Sequence, residues 1–146
     1  MALMNIFDVA GSAMTAQNLR LNTTASNLAN AESVSSNRDE TYRARHPVFA
    51  ARLAEATLSG DPAAAGAEQA SAGVMVQGIV ESQAPLQMRY EPDHPMADGE
   101  GYVAYPNVNV VEEMANMMSA SRSFQMNVQM LTSVKSMAER LLSMGQ

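Results

Sequence analysis

Apolar side chains recur at seven-residue intervals near both ends of this chain, and no other feature constrains the fold as strongly. Near the N terminus the repeating positions are Phe7, Met14, Leu21 and Leu28. Apolar residues at alternating steps of three and four form one face of an α-helix that packs against another helix. The spacing predicts a helix over residues 4–31, with Asn5 as its N-cap.

The same spacing returns near the C terminus. The apolar positions there are Val110, Met114, Met117, Phe124, Val128 and Leu131. Pro106 interrupts the preceding segment, and Asn109 followed by Glu112 resembles the capping box of a helix start. We therefore predict a second helix that starts after Asn109 and runs to about Ser143, before Gly145.

The second predicted helix is too long for a compact chain of this size. About 35 residues extend about 52 Å at 1.5 Å per residue. A compact chain of 146 residues is only about 40 Å across. The helix therefore projects beyond any globule that the chain forms by itself, and its exposed apolar residues require partners.

Between the helices, residues 42–53 alternate apolar and polar side chains and predict an extended segment. Pro47 restricts such a strand to a sheet edge or a bulge. A helix over residues 48–58 is the alternative interpretation. The segment 54–73 is rich in Ala and Gly and predicts a mobile linker, with a short Ala-rich helix as the alternative.

Period-two alternation becomes regular after the linker. Residues 74–81 and 86–90 predict two strands, and the segment 82–85 predicts the turn that joins them. A short strand is predicted over residues 102–105.

These elements predict a mainly α fold with a small β insert. The long N- and C-terminal helices are expected to pair as a coiled coil, so that residues 1–31 and 107–146 form one terminal helical domain. Residues 32–106 form the β-rich insert, which contains a central β-hairpin unit and the linker.

The composition excludes several classes of function. The chain has no Cys, which removes disulfides, thiolate metal sites and cysteine nucleophiles. Its formal net charge of −6 disfavours nucleic-acid binding, which requires a basic surface. Thirteen Met residues and no Trp indicate packing by side chains that adapt to irregular or shared surfaces.

The residues with catalytic potential are isolated from one another. His46 and His94 each lie next to a proline and lack a partner at a useful spacing. The acidic segment 93–100 lacks the alternating acids of a calcium-binding loop. Glu112 and Glu113 are explained as favourable charges at a helix N terminus. We therefore predict no enzymatic activity, and no catalytic residue, cofactor or metal site.

The polar positions of the two terminal segments carry Asn, Gln, Ser and Thr rather than Glu and Lys. Neutral amides and hydroxyls are buried at a lower cost than ions, so these positions favour contact with other protein, with compositional drift as the alternative. Small residues and amides near the end of the first helix permit close approach of a neighbouring helix. The predicted assembly interface comprises both apolar stripes together with Ala25, Ser26, Asn27, Leu28 and Asn30.

No apolar run reaches the roughly 18 residues that a membrane-spanning helix needs. Residues 1–20 carry neither a basic leader nor a cleavable apolar segment. We expect that the chain does not insert into a membrane, and that any export from the cytoplasm uses no ordinary secretory signal.

Two motifs, one near each end, resemble the signatures of bacterial flagellar axial proteins, which are the rod, hook and hook-associated subunits. The first motif comprises residues 12–22 (SAMTAQNLRLN) and 25–31 (ASNLANA), and the second comprises residues 101–114 (GYVAYPNVNVVEEM). The short length and residues 42–49 (YRARHPVF) are most similar to the proximal rod subunits of this family.

The resemblance implies a structural rod subunit in the flagellar basal body. In this family the terminal helices pair as the inner coiled-coil layer of a tube that crosses the periplasm, and the central insert lies farther out. Subunits of the family travel unfolded through the flagellar type III export channel without a cleaved leader.

The implied partners are copies of the chain itself, other rod subunits such as FlgB, FlgF and the distal rod protein, an FliE-type adaptor, and the export apparatus. The nearest alternative is a different rod subunit, such as FlgB or FlgF. An alternative from another class is a type III secreted helical effector or tip protein.

Overall fold

The computed structural model describes residues 2–53 and 71–144 of the chain, with side chains described for 5–52 and 73–143. Along the chain, a long helix precedes four strands and a second long helix follows them, in the order α1, β1, β2, β3, β4, α2. Their bounds are Ala2–Ala29 for α1, Arg45–Leu53 for β1, Ser71–Glu81 for β2, Gln87–Tyr90 for β3, Tyr102–Tyr105 for β4 and Val110–Met144 for α2.

Both predicted helices are present. The predicted N-cap is confirmed for α2 but not for α1. Asn109 caps α2, because its Oδ1 accepts the backbone N–H of Val111 at 3.2 Å. The prediction of Asn5 as the N-cap of α1 is wrong, since α1 already includes Ala2. The 28 and 35 residues of the two helices correspond to about 42 and 52 Å.

α1 and α2 pack against each other in antiparallel directions. Arg20 Nη2, in the C-terminal half of α1, donates to Asn116 Oδ1 near the start of α2 at 2.9 Å, whereas Ile6 and Val9 lie near Met130 and Met137. The contact, here called the seam, buries mostly small and polar side chains at heptad spacing. Its most buried members are Ala10 and Thr24 on α1 and Glu113, Ala120 and Val134 on α2.

The small size of the seam residues has a physical reason. Ala120 is 0% exposed and Ala10 is 2% exposed, so the helix backbones approach closely at these levels. Thr24 also fits, because its hydroxyl donates to the carbonyl oxygen of Arg20 at 3.0 Å and leaves no unpaired donor. The seam therefore buries a different line of residues from the apolar stripes that periodicity identified.

The strands form two separate antiparallel pairs, β1 with β2 and β3 with β4. β1 runs from the Arg45–Glu81 pair to the Leu53–Ser71 pair. The register shifts between Val48 and Phe49, directly after Pro47. Pro47 lies on a strand that has one partner, next to an irregular register, which agrees with its predicted edge or bulge position.

The predicted hairpin over residues 74–90 is wrong, because β2 and β3 do not pair. The segment 82–85 leads instead from one sheet to the other. Side-chain donors hold its carbonyl groups: Asn107 Nδ2 donates to the carbonyl oxygen of Ala84 at 2.9 Å. Pro85 also lacks the backbone N–H that a continued ladder needs.

The predicted linker falls almost entirely outside the described residues, so neither the linker nor the Ala-rich helix is assessed over 54–70. Its last residues, 71–73, belong to β2. The alternative of a helix over 48–58 is excluded for residues 48–53, which are strand.

The β1–β2 pair docks on α1 at two levels. Ser12 Oγ accepts the backbone N–H of Val74 at 3.1 Å. Near the other end, Asn27 contacts the start of β1 through hydrogen bonds to Arg45. At the first anchor, Gly73 is buried against Ser12 with φ of 131°, a conformation and a spacing that favour glycine.

Candidate assembly interface

The apolar stripe predicted on α1 lies beside the seam rather than in it. Phe7 is 39% exposed. Met14, Leu21 and Leu28 are half-buried, and Ala25 is exposed. These side chains therefore retain apolar surface that the other described residues do not cover.

The stripe predicted on α2 is also incompletely covered. Met114 is 49% exposed, and Val110 and Val128 are exposed as well. Met117, Phe124 and Leu131 are half-buried. Each helix thus carries one line of residues buried in the seam and a second, apolar line next to it.

The two apolar lines lie on the same side of the helix pair. Successive helical residues are about 100° apart, so the residues of each apolar line are rotated by roughly 40–100° from their own seam line, all in the same sense. Because α1 and α2 are antiparallel, equal rotations in their own frames point to the same side. We call this surface the apolar side; it comprises Phe7, Met14, Leu21, Ala25, Leu28, Val110, Met114, Met117, Phe124, Val128 and Leu131.

The β1–β2 pair lies toward the other side of α1. Ser12 and Asn27, which hold it, are rotated from the seam in the opposite sense to Phe7 and Met14. Neither the β1–β2 pair nor another element in the described ranges therefore covers the apolar side.

Three polar residues predicted to belong to the interface form hydrogen bonds within the chain. Asn27 is 0% exposed and makes hydrogen bonds to Tyr42 and Arg45, so it cannot contact a partner in this structure. Asn30 Nδ2 donates to the carbonyl oxygen of Ser26, and Ser26 Oγ lies 3.3 Å from the Tyr42 hydroxyl. We correct the prediction by removing Asn27 from the interface.

A second apolar feature was not among the predicted interface residues. Near the N-terminal end of α1, a groove of about 550 Å³ runs between the two helices. Its apolar walls include Ile6, Val9, Met130, Val134 and Met137. The sequence signal for this groove is the spacing of four and three residues between Met130, Val134 and Met137. The more regular stripe from Val110 to Leu131 on the same helix was predicted instead.

The described residues do not meet the requirements of a metal site or of a membrane-spanning helix. No group of three His, Asp or Glu side chains within the described ranges is close enough to hold a metal ion. Neither described helix is long and apolar enough to cross a membrane.

Comparison with known proteins agrees with this architecture of two terminal helices around an insert. Residues 7–35 match the family model described as "Flagella basal body rod protein". Residues 100–144 match the model described as "Flagellar basal body rod FlgEFG protein C-terminal".

Full-length relatives are more specific. A flagellar basal-body rod protein FlgC from Escherichia coli O6:H1 is 53% identical over 146 residues, which is the whole of both chains. The Salmonella typhimurium FlgC is 52% identical over the same span. FlgC of Borreliella burgdorferi is 36% identical, with coverage of 100% of this chain and 99% of the relative.

The chain belongs to the FlgC family. This membership confirms the resemblance to flagellar axial proteins and its narrower form, the similarity to proximal rod subunits of the short type. FlgC relatives match from end to end, which favours this family over the FlgB and FlgF alternatives.

Proposed function

We propose that the chain is a structural subunit of the flagellar basal-body rod, and that its paired terminal helices join it to neighbouring subunits through the apolar side. One observation carries the helical part of this proposal. The exposed and half-buried residues of the two apolar stripes lie on a single side of the helix pair, away from the β1–β2 pair.

The energetics of such a surface favour assembly. Each well-buried Leu, Met or Phe contributes about 1.5–3 kcal/mol relative to its exposed state. A contiguous exposed apolar patch formed by eleven residues is typical of a protein-binding surface. No Asp, Glu, Lys or Arg belongs to the apolar side, so its burial removes no ion from water.

In this proposal the terminal segments 1–31 and 107–146 act as one coiled-coil unit, and 32–106 is the outer insert. The partners are copies of the chain, other rod subunits including FlgB, FlgF and the distal rod protein, and an FliE-type adaptor. The subunit reaches the periplasm through the flagellar type III export apparatus and lies in the proximal rod. Its role is mechanical rather than enzymatic.

The test introduces a charge on the apolar side. Leu28→Glu and Phe124→Lys should each abolish swimming in a strain that lacks its own copy of the gene, while the exported amount of the chain stays unchanged. Electron micrographs should show basal bodies that stop at an incomplete rod. The physical reason is that an unpaired ion buried between subunits is strongly destabilising.

Met118→Lys is the matched control, because Met118 is exposed on the face of α2 opposite the seam. This variant should keep normal swimming. Swimming retained by both Leu28→Glu and Phe124→Lys would exclude the apolar side as the assembly surface.

A further inference from the structure

The β3–β4 sheet exposes a pair of aromatic rings. Tyr90 and Tyr102 are paired across the two strands, and their ring centroids are 5.4 Å apart in an edge-to-face arrangement. Tyr90 is 66% exposed and Tyr102 is 40% exposed. Met88, on the same face of β3, is exposed as well. Ala104, opposite Met88, is only 4% exposed, so the exposed part of this face consists of the two rings and Met88, here called the tyrosine face.

The rings are held in place although they are exposed. Gly101 has φ of 83°, and a Cβ atom there would lie 3.0 Å from Cε2 of Tyr90. The absence of a side chain at Gly101 therefore lets the Tyr90 ring lie close to the backbone. Because the second ring of the pair belongs to the neighbouring strand, Tyr90 is supported from two directions.

The loop that joins β3 to β4 is also well organised. Asp98 Oδ1 accepts the backbone N–H groups of Glu100 and Tyr102 at 3.0 and 2.9 Å. The N–H of Glu91 donates to the carbonyl oxygen of Gly101 at 2.9 Å. A fixed loop that presents exposed aromatic rings is typical of a binding anchor, since little side-chain entropy is lost when a partner docks.

The charges around the tyrosine face are mostly negative. Residues 87–105 contain four carboxylates, those of Glu91, Asp93, Asp98 and Glu100, and a single guanidinium, that of Arg89. The Glu91 carboxylate accepts from the Tyr105 hydroxyl and so lies with Tyr105 and Arg89, which leaves Asp93, Asp98 and Glu100 in the loop beside the tyrosine face. Arg38 pairs with Asp98 at 3.2 Å. Asp93 and Glu100 are exposed and form no ion pair within the described residues.

Arg89 does not neutralise this face. Its guanidinium lies 4.2 Å from the ring centroid of Tyr105. Arg89 alternates with Met88 and Tyr90 along β3, so it points to the opposite face of the sheet.

We propose that the tyrosine face docks a segment of a different protein that presents a Lys or Arg side chain. The cation lies against the ring of Tyr90 or Tyr102, and the carboxylate of Asp93 or Glu100 pairs with it. Aromatic faces attract cations, and nearby carboxylates strengthen that attraction. A second copy of this chain is a poor occupant, since it brings the same acidic loop and a net charge of −6.

This surface consists of residues on β3 and β4, and it shares no residue with the apolar side of the helices. The proposal goes beyond the rod-subunit role and does not depend on which residues join neighbouring subunits.

The test is site-specific photo-crosslinking in swimming cells. Tyr90 is replaced by p-benzoylphenylalanine in a flagellated strain that lacks its own copy of the gene, and the crosslinked peptides are sequenced. The expected product joins position 90 to a different protein, at a segment that contains Lys or Arg. Asp93→Asn combined with Glu100→Gln should reduce the yield by about fivefold or more, because the cation loses its counter-charge.

The matched control is Glu32→Gln combined with Glu40→Gln, which neutralises two exposed carboxylates elsewhere and should leave the yield unchanged. The same measurement with the photo-reactive residue at position 102 decides the matter if replacement of Tyr90 disturbs β3. An adduct with a second copy, a yield that ignores Asp93 and Glu100, or no adduct at either position in swimming cells would each overturn the proposal. Because the cells swim, the rod-subunit role stands in all three cases.

Discussion

Asn27 pairs with Arg45 as one β-strand pairs with another. The side-chain Nδ2 of Asn27 donates to the carbonyl oxygen of Arg45 at 2.8 Å, and its Oδ1 accepts the N–H of Arg45 at 2.9 Å. Tyr42 donates its hydroxyl to the same Oδ1 at 2.8 Å. A helix side chain thus supplies the first rung of the sheet and fixes where β1 begins.

Replacement of Asn27 should therefore separate the sheet from α1. Asn27→Ala leaves the N–H and carbonyl of Arg45 and the hydroxyl of Tyr42 without their partner. We expect the free energy of unfolding to fall by about 2–4 kcal/mol, measured by urea denaturation. Asn22→Ala is the control, because Asn22 is exposed and donates only to Asn18 one turn earlier; its effect should stay below about 0.5 kcal/mol.

Gly73 should tolerate no side chain. An added Cβ would collide with Ser12, and φ of 131° is a conformation that other residues rarely adopt. Gly73→Ala should destabilise the chain by about 2 kcal/mol or more and speed amide hydrogen exchange in β2. Gly78→Ala lies in the same strand with open space around its Cβ, and it should not reduce stability. Equal effects of the two substitutions would contradict the close packing of β2 on α1.

Glu113 and Glu112 are neighbours on α2, and their replacement should change the free energy of unfolding in opposite directions. Glu113 is 3% exposed, and its Oε2 has no hydrogen-bond partner among the described residues. Glu113→Met should therefore raise the free energy of unfolding by about 1–3 kcal/mol, because it removes a buried carboxylate whose Oε2 has no partner. Glu112→Met removes an exposed charge that favours the helix N terminus and should lower stability by about 0.5 kcal/mol. Thermal unfolding of both variants measures the contrast.

The loop before β4 should loosen in acid. The backbone N–H of Tyr102, together with that of Glu100 and the Arg38 side chain, lowers the pKa of Asp98 below its ordinary value of 3.8. Because the folded-state pKa is the lower one, the stability from Asp98 is present above the ordinary pKa. It is lost as the pH falls through the folded-state pKa. The amide chemical shifts of Glu100 and Tyr102 should follow this titration, and Asp98→Asn should abolish it while Asp93→Asn does not.

The helices and the positions of the strands were predictable because their patterns are local. The heptads around Phe7 and Val110 located α1 and α2 to within a few residues. Alternation around Val76 and Met88 located β2 and β3. Each of these patterns needs only the neighbouring few residues to be recognised.

The pairing of the strands and the composition of the seam were not predictable in the same way. β2 turns away from β3 because Asn107, more than twenty residues later, holds the carbonyl groups of Ser82 and Ala84. The seam between the helices buries Ala10 and Ala120, whose small size permits close approach, whereas hydrophobic periodicity emphasises the larger Met and Phe side chains. Periodicity identifies residues that gain from burial, and it does not identify what buries them.

The bonds that hold α1 all reach forward along the sequence. Asn27 bonds to Arg45, Ser12 to Val74 and Arg20 to Asn116. A polypeptide delivered with its N terminus first must release most of its length before α1 finds its permanent neighbours. In the export route proposed above, folding is thereby postponed until delivery is nearly complete.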